Sequence, residues 1–297
     1  MRIIDAHVHL YPPEVGRNPA AWAAAQGEPH WAAIFTPPRR DGRPVQIFPD
    51  VDQLLHDMDD GRVDKAVLLG WYWEQPETCD WQNRFYADCV RAHPDRLAAF
   101  AAIHPSVGET AVREEIRRVH EAGFCGLGEL SPHSQHAATD DPTLAIALDL
   151  AGELGLPVNF HVTDPRGKRY PGRVETPLDD FRHLARKHRG TTFILAHWGG
   201  GLPFLEADAA VRSDLNNVFY DTAASPLLYD DGIWRTAFDA ISPGRVLFGT
   251  DYPLVLYPRS AAEPGWPGVM EEIEKSGLNA TEKERLLAGN AARLFGL

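Results

Sequence analysis

Apolar residues in this chain fall into short runs, separated by stretches in which they recur every three or four positions. The runs occupy 3–6, 65–69, 97–103, 125–129, 157–161, 192–197, 218–221 and 246–251. Their length and near-continuous apolar content predict strands buried on both faces, as in a parallel sheet. The stretches with helical spacing are clearest at 52–60, 82–93, 110–122, 143–154, 178–187 and 205–213. They predict amphipathic helices. Strand and helix alternate, which is the signature of an α/β architecture. Eight strand candidates point further, to a closed (β/α)8 TIM barrel.

Helix punctuation agrees. Gly123 and Gly155 each follow a helical stretch, as glycines at C′ do. Thr281 with Glu284 reads as a capping box opening a last helix that ends near Leu294. One segment breaks the rhythm: 11–49 is rich in Pro, Gly, Trp and Arg. A long insertion after the first strand of a barrel is expected to form a loop over the active-site mouth. At 297 residues the chain suits two average domains, but barrels of this size occur as one, so a single domain over 1–297 is expected.

Composition narrows the classes. A formal charge of −13 makes the chain a poor polyphosphate binder, so no nucleic-acid partner is expected. The N-terminus has no uninterrupted apolar region, and no run approaches the length of a membrane span, so a soluble cytoplasmic protein is expected. Cys79, Cys89 and Cys125 form no CxxC and are odd in number, which argues for free thiols.

The chemistry is concentrated at strand ends. Ile4-Asp5-Ala6-His7-Val8-His9 carries two histidines one residue apart. In a strand they project from one face, a pair suited to a divalent transition metal. His161, His197 and Asp251 close the fifth, sixth and eighth apolar runs. In a barrel the C-terminal strand ends share one face, so these five groups converge despite their separation in sequence.

With these residues the chain resembles the amidohydrolase superfamily, in the branch of aminocarboxymuconate-semialdehyde decarboxylase, aromatic-acid decarboxylases and lactone hydrolases. The words that carry the likeness are Asp5-Ala6-His7-Val8-His9, His161, Ala196-His197-Trp198-Gly199-Gly200-Gly201, Leu247-Phe248-Gly249-Thr250-Asp251-Tyr252-Pro253 and Gly289-Asn290-Ala291-Ala292-Arg293-Leu294-Phe295. The resemblance implies a metal held by His7, His9, His161 and Asp251, with His197 beside it. Asp251 would then be the proton carrier, and His197 would polarise substrate or relay protons. Relatives often carry a lysine at the end of strand four that bridges two metals. This chain has Glu129 there, so one metal is expected, with Glu129 as an additional ligand. Zn2+ is the default, and Mn2+, Ni2+ or Co2+ fit the same ligand types.

A small-molecule substrate needs a wall and an anchor. Arg166 and Arg169, in the cation-rich stretch 164–173, are candidates to clamp a carboxylate. Trp71, Trp73 and Trp198 follow strands and are candidates to line the pocket. Gly199-Gly200-Gly201 lacks the Lys-Ser/Thr of a phosphate loop and reads as a tight turn. His93, His104, His120, His183 and His188 read as structural or surface residues. The main expectation is a metal-dependent hydrolase acting on an ester, lactone or amide carbonyl. The alternative is a non-oxidative decarboxylase of an aromatic or unsaturated acid, and a third reading is a non-catalytic barrel with a structural metal. A direct role for Glu129 would favour hydrolysis. The resemblance also allows a homodimer.

Overall fold

The computed structural model describes residues 1–39, 41–255 and 264–297; Arg40, inside the 11–49 insertion, lies outside them. Eight parallel strands are hydrogen-bonded in the order in which they occur in the chain. They are β1 (Ile4–Val8), β2 (Lys65–Leu69), β3 (Leu97–Ala101), β4 (Gly126–Leu130), β5 (Val158–Phe160), β6 (Phe193–Leu195), β7 (Val218–Asp221) and β8 (Val246–Leu247). The barrel closes from β8 to β1: Ala6 N donates to Phe248 O at 2.8 Å, and Val8 bridges Tyr252 in parallel. The expected TIM barrel is the observed fold.

Register is regular along most of the sheet and slips in two places, between Asp5 and Val8 on β1 and between Leu127 and Leu130 on β4. Side chains show the consequence. Ile4 and Ala6 share an apolar cluster with Val67 and Leu69, whereas Val8 joins the other cluster with Ala66 and Leu68. An extra residue in a strand re-aims the side chains that follow it. The two slips fall on the strands that carry His7, His9 and Glu129.

Three short helices, α1 (Pro13–Arg17), α2 (Pro19–Gln26) and α3 (Pro29–Phe35), occupy much of the insertion, which is therefore not the single loop the sequence predicts. Each begins with proline at its first position, where the missing N–H costs no hydrogen bond. They pack through Val15, Ala23, Trp31 and Phe35 against Trp71, Tyr72 and Trp73 beyond β2. Helix α4 (Val51–Asp60) returns the chain to β2. Next come α5 (Pro76–Ala92), α6 (Glu109–Glu121), α7 (Pro142–Leu154), α8 (Leu178–Lys187), α9 (Ala209–Asp214), α10 (Ile233–Ala240) and α11 (Pro267–Lys275). The stretch 205–213 starts its α-helix later than expected, because a 3-10 turn takes Leu202–Leu205. The terminal capping box is Asn279 with Glu282, two residues before the predicted pair. All three cysteines are free thiols. Among the described residues no helix is long and apolar enough to cross a membrane.

Glu28 ties the insertion down. Its buried carboxylate accepts from Glu74 N at 2.8 Å and Gln75 N at 3.1 Å, just past β2. Burial, with Glu74 nearby, raises its pKa from 4.5 to about 7. A group raised in the fold favours folding below its unfolded pKa, and that contribution is lost as pH rises toward 7. The variant Glu28→Gln should therefore gain melting temperature on the wild type between pH 5 and pH 8. Thermal unfolding at both values checks this; a pH-independent gap between the two proteins would contradict it.

Candidate active site

β1 brings His7 and His9 to the C-terminal mouth of the barrel with their rings nearly perpendicular and 5.0 Å apart. His7 Nδ1 lies 2.9 Å from Asp221 Oδ2, and His9 Nδ1 lies 3.0 Å from Leu69 O. A carbonyl only accepts, so His9 Nδ1 carries the proton and its Nε2 presents a lone pair. By the same logic the Asp221 carboxylate fixes the His7 tautomer. The two Nε2 atoms then face each other at 3.2 Å. That contact is satisfied by a proton on His7 Nε2 donated to the His9 Nε2 lone pair, or by a metal ion bound to both nitrogens in place of that proton.

Carboxylates complete the arrangement. Asp251 Oδ1 lies 3.8 Å from His7 Nε2 and 3.4 Å from His9 Nε2. Glu129 Oε2 lies 3.8 Å and 3.6 Å from the same atoms. Ligand atoms about 2.0–2.2 Å from one metal sit about 3–3.5 Å apart; the His9–Asp251 separation of 3.4 Å falls in that range, and the other three, at 3.6–3.8 Å, lie just outside it. Electrostatics points the same way. Burial disfavours a charged His7, yet Asp221, Glu129 and Asp251 outweigh it and lift its pKa to about 10. Burial opposes ionisation of Glu129, but His161, His197 and His7 hold its carboxyl well below the usual range.

His161 and His197 are grouped one step away. His161 Nδ1 is 3.0 Å from Glu129 Oε1, and His197 Nε2 is 3.4 Å from that oxygen and 3.2 Å from His161 Nδ1. Glu129 thus forms a triad with His161 and His197 and links it to the triad of His7, His9 and Asp251. The residues needed for the chemistry expected from sequence all converge, but His161 stands with His197 and not directly with the β1 pair.

Backbone conformations show how they are presented. His197 and Trp198 adopt left-handed φ values of 57° and 56°, followed by Gly199, Gly200 and Gly201 at 53°, 60° and 95°. Left-handed backbone costs about 1–2 kcal/mol per non-glycine residue, and the glycines after it carry the turn without that cost. The turn puts His197 N 3.1 Å from Asp221 Oδ1. Gly128 has φ 128°, and a Cβ there would lie 2.5 Å from Asn159 O, so only glycine lets β4 present Glu129.

Two residues with clear roles escape the sequence reading. Asp221, at the end of β7, accepts from Asn159 Nδ2 (2.9 Å), His197 N and Ala223 N besides meeting His7. It fixes His7 and His197 together, and its position at a strand end was the available signal. Asp5 is fully buried and accepts from Thr250 Oγ1 at 2.5 Å, Thr250 N at 3.1 Å and Trp266 Nε1 at 2.6 Å. It locks β1 to the segment that carries Asp251.

The candidate substrate residues divide. Trp71 is edge-on to His9 at 5.3 Å. Trp73 is fully buried among Tyr11, Trp22 and Trp31, with its Nε1 on Gln82. Trp198 is also buried; it bonds Ser225 Oγ and packs on Trp234, bracing the rim. Arg166 pairs with Asp164 at 3.1 Å and is largely exposed, as is Arg169. The guanidinium of Arg173, a further cation of the 164–173 stretch ranked behind these two, is the more buried one; it donates to Asp164 O at 3.1 Å.

Comparison with known proteins identifies the relatives. The amidohydrolase family profile matches residues 4–297. A 6-methylsalicylic acid decarboxylase of Aspergillus aculeatus is 29% identical over 58% of this chain, and the match spans 62% of that protein's length. A gamma-resorcylate decarboxylase of a Polaromonas species is 26% identical over 74% of this chain and 77% of its own. An L-fucono-1,5-lactonase of Burkholderia multivorans is 32% identical, over 38% of this chain and 40% of its own. The solved 5-carboxyvanillate decarboxylase of Novosphingobium aromaticivorans, with manganese and a nitrobenzoic acid bound, superposes with a TM-score of 0.73. It covers 100% of this chain and 96% of its own at 17% identity, which shows a shared fold.

These matches overturn the expectation of a hydrolase. Both relatives aligned over more than half of the chain are decarboxylases, and the lactonase alignment is the shortest of the three. Glu129 does reach the centre of the site, 3.6 Å from His9 Nε2. With the family profile covering all but the first three residues, the chain belongs to the amidohydrolase family and is an enzyme of that superfamily.

Proposed function

We propose that the chain is a metal-dependent, non-oxidative decarboxylase of a hydroxylated aromatic carboxylic acid. The observation that supports the metal is the convergence of His7 Nε2 and His9 Nε2, 3.2 Å apart, with the Glu129 and Asp251 carboxylates beside them. The two decarboxylase relatives support the reaction class. His7, His9, Glu129 and Asp251 would hold one divalent transition ion, with His161 and His197 on the far side of Glu129. Mixed imidazole and carboxylate donors suit manganese as well as zinc, and the Novosphingobium enzyme holds manganese. When bound, the ion supplies positive charge that draws in the substrate's oxygens.

The chain's own groups handle the proton. Decarboxylation adds one proton to the ring carbon bearing the carboxylate. The carbon–carbon bond then breaks, its electron pair restores the ring, and CO2 leaves. Asp251 is the proposed donor to that carbon. His197, whose Nδ1 lies 3.2 Å from Ala223 O and 3.9 Å from Asp251 Oδ2, is the proposed source of its replacement proton, passed on when the ring leaves the carbonyl. Burial disfavours a charged His197, but Glu129 and Asp251 raise its pKa and keep it a proton carrier.

The test is direct. The protein loaded with Mn2+ is incubated in D2O with 6-methylsalicylate and with 2,6-dihydroxybenzoate. Release of CO2 with one deuterium at the vacated ring carbon is expected. Hydrolysis of a sugar lactone, with no CO2 from either acid, would refute the proposal. Asp221 gives a second check, because it orients His7. Asp221→Asn should weaken Mn2+ affinity by about 10–100-fold while leaving the fold intact. An unchanged affinity in a metal titration would show that Asp221 plays no part in the site.

A further inference from the structure

The segment 164–173, beyond β5, is exposed along most of its length. Tyr170 is the one large aromatic side chain exposed among the described residues; the others, Met1, Val107, Leu205, Leu227 and Leu228, are aliphatic. A surface tyrosine ordinarily buries its ring and turns its hydroxyl to water. Tyr170 does the reverse. The residue is 43% exposed, yet its hydroxyl lies inward beside Thr163. Burial, with Glu129 and Asp251 close enough to act electrostatically, raises the pKa of that hydroxyl against the opposing effects of Thr163 and Arg173.

Thr163 ties Tyr170 to the metal centre. Its Oγ1 donates to Val174 O at 2.8 Å and lies 3.3 Å from His161 Nε2. The backbone around Tyr170 is held as well. Arg173 N donates to Tyr170 O at 3.2 Å. Gly172, at φ 76°, packs so closely on α3 that a Cβ there would come within 2.5 Å of Ile34 Cγ1. The Gly172 carbonyl accepts from His30 Nε2 at 2.8 Å. Tyr170 therefore stands where the insertion meets the end of β5, with its hydroxyl toward the site and its ring open.

A second tyrosine reaches the same carboxylates from within. Tyr72 stacks on Trp71 at 4.1 Å and meets the His161 ring at 5.1 Å. Its hydroxyl is within electrostatic reach of Glu129, Asp251 and Tyr170. Tyr72 is buried and can form only a fixed wall, whereas Tyr170 has ring surface still uncovered. A flat apolar face covers such a ring best, because aromatic pairs gain more than their buried area alone supplies. Lys168 and Arg169 are exposed on the same segment, in a chain of formal charge −13. They attract an anionic acid to this side of the mouth.

We propose that Tyr170 is a specificity-determining residue, whose exposed ring packs on the aromatic ring of the acid bound at the metal while its hydroxyl, held at Thr163, keeps it in place. This inference rests on the decarboxylase reading.

The experiment measures affinity, not turnover. Full-length, Mn2+-loaded protein is titrated calorimetrically with salicylate, with 2,6-dihydroxybenzoate and with malonate, which offers carboxylate oxygens but no ring. Tyr170→Ala should weaken the tighter of the two aromatic acids about ten-fold, with malonate and Mn2+ affinities within about two-fold of wild type. Tyr170→Phe keeps the ring and should keep the wild-type affinity for that acid. Undiminished aromatic affinity in Tyr170→Ala refutes the proposal. An equal loss of malonate or Mn2+ refutes it too, because Tyr170 would then only support the fold. A Tyr170→Phe as weak as Tyr170→Ala places the effect in the hydroxyl and overturns the packing role. In each of these cases the decarboxylase reading stands. If the metal-loaded wild type binds neither aromatic acid, the reading beneath the proposal fails as well.

Discussion

The variant His9→Ala should lose bound metal and turnover together, with activity falling at least about 10³-fold. His9 contributes one of the two Nε2 atoms that face each other at 3.2 Å. Removing it leaves His7, Glu129 and Asp251 around a gap on the β1 side. Outer-shell partners of metal ligands typically change affinity 10–100-fold, and a direct ligand changes it more. His9 is a cleaner choice than His7. Its other nitrogen meets only the Leu69 carbonyl, whereas loss of His7 would strand the buried Asp221 carboxylate. Elemental analysis and CO2 release on the same preparation check the result. Metal-free protein that still turns over would break the link between the two.

Asp251→Asn should separate metal from chemistry. The amide keeps the size of the side chain and one oxygen toward His7 and His9, so part of the metal should be retained. It has no carboxyl proton to deliver, and loss of a positioned acid–base group costs about 10²–10⁴-fold in rate. The expected result is low kcat at saturating Mn2+ with near-normal substrate affinity. Wild-type kcat in this variant would remove Asp251 from the role of proton donor.

Much of the barrel is legible in the sequence because its strands are buried on both faces and bounded by polar residues. β2 and β7 begin and end where the apolar pattern places them, and α8 does too. β8 is shorter than its apolar run: 248–251 lies beyond the strand and bonds the β1 backbone only through Phe248 O and Asp251 N on its way to the mouth. The insertion is less legible. Proline reads as a breaker, yet Pro13, Pro19 and Pro29 each open a helix. Those helices are too short to show a clear apolar stripe and are held by aromatic contacts with 71–73 that no local pattern records.

The site follows the same division. His7, His9, His161, His197 and Asp251 stand out because each is a polar residue at the end of an apolar run. Asp221 has the same position, but its importance comes from binding His7 across the barrel mouth, a contact between residues 214 positions apart. The slips in β1 and β4 are invisible in a period-two pattern, although they fall on the strands that carry His7, His9 and Glu129. Arg166 shows the opposite failure. A cation-rich loop is conspicuous in an acidic chain, yet its side chain pairs with Asp164 two residues away.

Metal stoichiometry coupled to CO2 release tests the central claim most directly. Purified protein is analysed for transition metals, stripped by chelation, assayed on an oxygenated benzoic acid, then reloaded with Mn2+ and assayed again. About one ion per chain, with CO2 release lost on stripping and restored by Mn2+, is the predicted result. CO2 release that survives complete removal of metal, or a chain that takes up none, would contradict it.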